Sequence, residues 1–180
     1  MNRKSLDEEL AERGLETGET VYLDRIIDRS SNLIWNVISQ PGQLYKYHPY
    51  CQSNETFNWP GVGSRDGLLY YSGLYFERDF KTWSEGVGYD LEIGPPPRKT
   101  SLISWRIEPL GQSRSKLSIE VTPYLDSHLL EAVKFEFQQQ YFGKSIELYL
   151  DSFLRGIEYF VTTGRPVQAK QFGSHPIYAP

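Results

Sequence analysis

In LYFERDFKTW, residues 74–83, side chains alternate between faces, so Leu74, Phe76, Arg78, Phe80 and Thr82 share one side and Tyr75, Glu77, Asp79, Lys81 and Trp83 the other. The first side is the apolar, inward one, and it contains an arginine. Arginine is charged at any workable pH, and removing an unpaired charge from water costs several kcal/mol. Arg78 therefore has a buried carboxylate or faces a wet cavity, unless a bulge flips the register there or the side chain snorkels to a sheet edge. In a cavity its guanidinium would meet a ligand carbonyl or carboxylate. His48, Tyr71 and Tyr89 are further candidates for hydrogen bonds to such a ligand, and each has an alternative role in core or rim packing.

Other chemistry is poorly supported. His48, His128 and His175 lie far apart with no metal-ligand spacing, and the lone Cys51 adds little, so no metal site is expected. Without a triad pattern, Cys51 reads as a packing residue. No Gly-x-Ser-x-Gly elbow is present, and Gly61-Val62-Gly63 lacks the lysine and hydroxyl of a phosphate loop and reads as a hairpin turn. Asp7-Glu8-Glu9 reads as a solvated face, and Gly94-Pro95-Pro96-Pro97-Arg98 as a stiff hairpin loop. No cofactor is expected.

The 180 residues suit one domain large enough to surround a pocket. A net charge of −4 with mixed signs gives no basic footprint for nucleic acid. No stretch approaches the ~20 apolar residues of a membrane span, and the start has no signal-peptide core, so a soluble cytoplasmic protein without stable membrane insertion is expected. Thirteen tyrosines, nine phenylalanines and four tryptophans suit pocket walls, since tyrosine joins apolar area to a polar tip.

The elements that must position these residues follow from periodicity. Ser5-x-x-Glu8 is a capping box opening a short polar helix, which ends near Gly14. Residues 20–28 read as a strand, and a helix capped by Ser30 or Ser31 carries Leu33, Ile34, Val37 and Ile38 up to Pro41-Gly42. A brief second helix is expected before Pro49. Alternating runs near 50–57, 67–73, 74–83, 88–93, 101–109 and 115–123 then form an antiparallel meander. The apolar segment 129–137 is expected to form a movable lid. A long helix follows, with Phe142, Ile146, Leu150, Phe153, Ile157 and Phe160 at steps of three and four. At ~30 Å it matches the ~33 Å of a ten-residue strand and can lie across the sheet.

This order resembles START-like, Bet v 1-type and polyketide-cyclase (SRPBCC) domains from about Thr20 to Arg165. The pieces that carry the resemblance are IWNVISQPGQLYKYHP (34–49), WPGVGSRDG (59–67) and FLRGIEYF (153–160). It implies an α+β helix-grip fold, with a curved antiparallel sheet of about seven strands wrapped around the long helix and two short helices after the first strand. Residues 1–19 form a polar lead-in, 20–165 the domain, and 166–180 a tail able to dock. Members of this group bind lipids, sterols, quinones or polyketides, and only some are enzymes. The first expectation is binding of a hydrophobic small molecule or lipid against Leu74, Phe76, Phe80, Trp105, Phe142 and Ile146, with Arg78 at its polar group. A cyclase or dehydratase acting on a polyketide-like chain, and a protein-interaction module, are the alternatives. The sequence leaves the ligand and the oligomeric state open.

Overall fold

The computed structural model describes residues 5–180; the first four residues of the expected lead-in lie outside the described residues. Ser5 caps α1 (Leu6–Glu12) through the full capping box, Glu8 N–H donating to Ser5 Oγ at 3.3 Å and Ser5 N–H to Glu8 Oε2 at 2.8 Å. Then come β1 (Leu15–Thr17), β2 (Val21–Ile27) and α2 (Ser31–Ile38), whose N-cap is Ser30. The expected second helix is only a 3-10 turn over Leu44–Lys46, because Pro49 follows too soon for more. The meander is β3 (Cys51–Asn58), β4 (Arg65–Tyr70), β5 (Tyr75–Ser84), β6 (Gly88–Gly94), β7 (Ser101–Pro109) and β8 (Ser115–Asp126). After it come α3 (Glu131–Glu136), a π-helical stretch Phe137–Phe142 and α4 (Gly143–Thr163).

All strand pairings are antiparallel and run β8–β7–β6–β5–β4–β3, with β2 and β1 both on the free side of β8. The sheet has eight strands where about seven were expected. The additional one, Leu-Glu-Thr at 15–17, is too short to show a period. It forms because β8 continues to Asp126 and pairs Tyr124–Asp126 with Thr17–Leu15. The curved sheet holds α4 against its inner face, as the helix-grip arrangement requires. Along α4, Ile146, Leu150, Phe153 and Ile157 are buried, and Gly164 ends the helix at φ 69°.

Parity fails at one place on the inward face of β5. Its register with β6 shifts between Phe80 and Thr82, so Thr82, expected inside, instead donates to Asp90 Oδ2 on the outside at 2.6 Å. Trp83, expected outside, packs against Trp35, Trp59, Phe80 and Tyr89. The bulge lies beyond Arg78 and leaves it facing inward.

The segment after α4 is fastened at three places. Val167 N–H donates to Lys46 O at 2.9 Å, Lys170 N–H to Pro49 O at 3.0 Å, and Ser72 N–H to Tyr178 O at 3.1 Å. His175 and Ala179 exchange both backbone hydrogen bonds at 2.9 Å and close a small hook, and both are fully buried.

Gly156 is where α4 passes closest to the loop before β3. A Cβ built there would stand 2.2 Å from Tyr47 O and 3.0 Å from Pro49 Cδ. Alanine would gain about 1 kcal/mol of helix propensity, but backbone overpacking costs about 1–3 kcal/mol. Gly156→Ala is therefore expected to lower stability by on the order of 1–2 kcal/mol, read as a reduced urea midpoint with unchanged slope. An unchanged or raised midpoint would show that the loop yields freely.

Candidate functional site

Arg78 has the carboxylate it needs. Asp66 stands directly across the β4–β5 pair, and Arg78 donates from Nε to Asp66 Oδ1 at 2.8 Å and from Nη2 to Oδ2 at 2.5 Å. Asn54 Nδ2 adds a bond to Asp66 Oδ2 at 3.1 Å, while Asn54 Oδ1 accepts from Leu44 N–H at 3.3 Å. Asp66 is 1% and Arg78 7% exposed, so the pair is internal and not a snorkelling side chain. Burial opposes the arginine's charge, but the Asp66 carboxylate more than offsets this, and the pKa of Arg78 is raised. The guanidinium also lies 5.4 Å from the Phe80 ring centroid.

Arg78 faces a cavity as well. A space of about 370 Å³ lies between the sheet, α4 and the C-terminal hook. Its walls are Phe76, Leu91, Ile103, Trp105 and Val121 from the sheet, Ile146, Leu150 and Phe153 from α4, Phe142 just before it, and Ile177 and Tyr178 from the hook. Of the expected site residues, Arg78, Phe76, Trp105, His48, Phe142 and Ile146 are brought together here. Phe80 and Tyr89 are not part of the lining. They sit in the aromatic cluster beneath α2, where Tyr89 O–H donates to Ile38 O at 3.4 Å. Leu74 and Tyr71 lie in the β4–β5 turn, 39% and 43% exposed and away from the cavity. That strand begins one residue later than the pattern suggested, and the Leu-Leu-Tyr-Tyr run has no period to say which tyrosine turns inward.

The inward tyrosine is Tyr70, and it completes a chain of neutral polar groups. His48 Nε2 lies 2.5 Å from Tyr149 Oη, which lies 3.1 Å from Tyr70 Oη. On its other side His48 Nδ1 accepts from Tyr50 N–H at 3.2 Å. A ring nitrogen that accepts from a backbone amide carries no hydrogen, so the neutral ring's proton sits on Nε2 and is donated to Tyr149. Burial, and secondarily the charge of Arg78, hold the His48 pKa well below the usual histidine value. Phe153 stacks on the imidazole with ring centroids 4.0 Å apart.

Residues that line the cavity and are also exposed mark its mouth: Tyr141 at 63%, Ile177 at 49% and Phe137 at 41%, with Thr100 from the loop between β6 and β7. The mouth is thus bordered by the π-helical stretch, the hook and that loop. Of the segment 129–137 expected as a lid, only Phe137 lines the cavity. α3 turns Val133 and Phe135 to solvent and buries Lys134, which is paired with Glu16 and Glu131 at 2.7 Å each.

Hook and site are joined through His175. Its Nδ1 accepts from Ile177 N–H at 3.2 Å and Tyr178 N–H at 3.4 Å, leaving Nε2 to donate to Ser145 O at 3.0 Å. Tyr178 then packs against Tyr70 and Tyr149 at 4.6 and 4.9 Å between centroids.

Cys51 is buried, its pKa pushed up to about 12 mainly by burial, and its thiol donates to Ser53 O at 3.2 Å. This is packing chemistry. Among the described residues, no three His, Cys, Asp or Glu side chains are grouped to hold a metal ion, and no helix is long and apolar enough to cross a membrane.

The fold comparisons agree with this geometry. No protein-family model matches the chain, and no curated protein is similar to it in sequence. Solved structures are. The truncated norcoclaurine synthase from Thalictrum flavum superposes with a TM-score of 0.62 at 13% identity, covering 82% of this chain and 96% of that one. Ara h 8.0201 gives 0.62 at 15% identity over 83% and 99% of the two chains. A START superfamily protein from Mycobacterium smegmatis gives 0.61 at 15% identity over 81% and 98%. The fold is START/Bet v 1-like. Identities this low speak for the START/Bet v 1 architecture alone, and the chemistry of this chain has to be read from its own cavity.

Two expectations follow. Arg78→Met would strand Asp66 in the interior, so stability should fall by about 3–5 kcal/mol in chemical denaturation, and Asp66→Leu combined with it should restore most of the loss. A single mutant of near-normal stability would remove the pair's structural role. Both buried histidines have depressed folded-state pKa values, His48 by burial and then Arg78, and His175 by burial. As pH falls the unfolded chain takes up these protons first, near the ordinary histidine value of 6.5. Their contribution is complete above that pH and is lost progressively below it. The urea midpoint should be flat from about pH 8 to 7 and decline by about pH 5.5, and a flat profile across the whole range would contradict the neutral assignments.

Proposed function

We propose that this protein binds an apolar small molecule in the cavity between sheet and α4, and sequesters or carries it. The observation that carries the reading is an internal space of about 370 Å³ with largely apolar walls and a few convergent polar groups, Arg78, His48, Tyr70 and Tyr149. A space of this size falls in the range of small-molecule sites, and a dry core would fill it with side chains. The expected Arg78 contact to the ligand is retained in modified form: Asp66 takes one edge of the guanidinium, and the remaining donors are free for the ligand.

The enzyme reading is the weaker one. Acid–base chemistry needs a group free to accept a proton, and both nitrogens of His48 are engaged, Nδ1 by Tyr50 N–H and Nε2 by Tyr149. Burial holds the tyrosine hydroxyls protonated, with the Tyr70 and Tyr149 pKa values raised.

Native mass spectrometry after gentle purification should reveal a retained hydrophobic compound. Val121→Phe, which extends a cavity wall inward from β8, should abolish retention while leaving the far-UV spectrum unchanged. Equal retention by both proteins would place the compound elsewhere, and turnover of a poly-β-keto substrate would favour the enzyme.

A further inference from the structure

The hydrogen-bonding inventory at the Arg78 end of the cavity specifies the ligand's polar group. Among the described residues, Arg78 is the only charged side chain in the lining. Asp66 occupies its Nε and Nη2 edge, and Nη1 meets no acceptor among the described residues. The pair is electrically neutral, and so is His48. Tyr70 and Tyr149 bring two hydroxyl hydrogens, of which one joins the two oxygens. Because Tyr149 already accepts from His48 Nε2, the second hydrogen is unspent whichever way the shared one points. His48 Nδ1 is occupied by Tyr50 N–H, and the Asp66 carboxylate by Arg78 and Asn54.

The strong unspent capacity here is therefore donor capacity: Nη1 of Arg78 and one tyrosine O–H. The nearest lining hydroxyl across the sheet is Ser101, uncharged and two strands from Arg78, roughly 9–10 Å away. A ligand that ends only in hydrogen-bond donors could give one to Tyr70 Oη but would leave Nη1 of Arg78 without an acceptor in a desolvated place. An ammonium would in addition face a guanidinium. A carboxylate would find donors, but it would bring a net charge into a site whose one cation is already cancelled by Asp66, and burying that uncompensated charge is costly. A neutral carbonyl oxygen has neither fault, since it is an acceptor for this donor capacity and adds no charge.

We propose that the cavity is specific for neutral apolar molecules that end in a carbonyl oxygen, such as ketones, quinones, lactones or esters, and that it discriminates against the corresponding carboxylates and amines. This rests on the cavity being the ligand site.

The test uses four naphthalene probes of similar shape, titrated by calorimetry at pH 7.5 into the full chain freed of retained compounds: 2-acetylnaphthalene, 2-naphthoate, 1-(2-naphthyl)ethylamine and 2-ethylnaphthalene. The ketone should bind at least tenfold more tightly than each of the other three. The double variant Tyr70→Phe, Tyr149→Phe, which removes both hydroxyl hydrogens where either single change would leave one unspent, should weaken ketone binding about three- to tenfold, the usual worth of one neutral hydrogen bond, and affect 2-ethylnaphthalene less. Naphthoate binding as tightly as the ketone, or the ketone binding no better than 2-ethylnaphthalene, would overturn the specificity while leaving the binding function standing. Failure of all four probes to bind would remove both. The wild-type ranking stands by itself if a tyrosine variant does not fold.

Discussion

A guanidinium on the inner face of a sheet is tolerable here because a carboxylate faces it across one strand pairing. Asp66 and Arg78 are register partners of β4 and β5, and their bidentate contact discharges the cost that either would incur alone. The contact also fixes geometry. With Asp66 held by Asn54, and Asn54 in turn bonded to the backbone of Leu44, the pair ties the sheet to the turn that delivers His48. The cavity can be wet at this end without a loss of order, because each of its polar side chains is already anchored to another before any ligand arrives, with only single donors left over.

The aromatic residues divide into two populations with different work. Trp35, Trp59, Trp83, Phe80 and Tyr89 pack edge to face or tilted beneath α2, with Trp83 and Tyr89 stacked, and close one end of the interior. Trp105 touches that cluster through Tyr89, and the cavity on its other side, where Phe153 meets it. Beyond it the tyrosines take over, at Tyr70, Tyr149 and Tyr178. Apolar mass thus closes the core, and hydroxyl-bearing rings line the space left open.

Much of this was legible in the residues. Periodicity located the meander and the long helix, and an arginine out of keeping with its strand pointed at the site. What escaped did so for identifiable reasons. Asp66 follows Gly61, Gly63 and Ser64, turn-forming residues that conceal the start of β4, so the alternation reads as beginning only at Gly67. Leu74 falls outside the site because β5 begins at Tyr75, and Tyr71 because doubled leucines and tyrosines carry no alternation. Trp83 reached the core through a bulge, which depends on the β5–β6 pairing and not on the local sequence. Tyr149 was within reach, three residues after Ile146 on the same helical stripe, but a stripe drawn from purely apolar types passes over it. The hook could not be read at all: HPIYA has no period, and its order comes from His175 meeting a carbonyl on a helix thirty residues earlier.

That hook separates two tasks that most single-domain proteins combine. The sheet and α4 carry the folding free energy, and their side chains are constrained on both sides by register and packing. His175, Tyr178 and Ala179 join the packed interior, but Ile177 is half-exposed at the mouth and is held by the hydrogen bonds of its hook and by the cavity it faces. Substitutions at Ile177 would therefore resize and reline the entrance at little cost to the scaffold. Diversification of ligand preference in relatives of this chain has an inexpensive route through that one position, where sequence can drift without retuning the architecture that supports it.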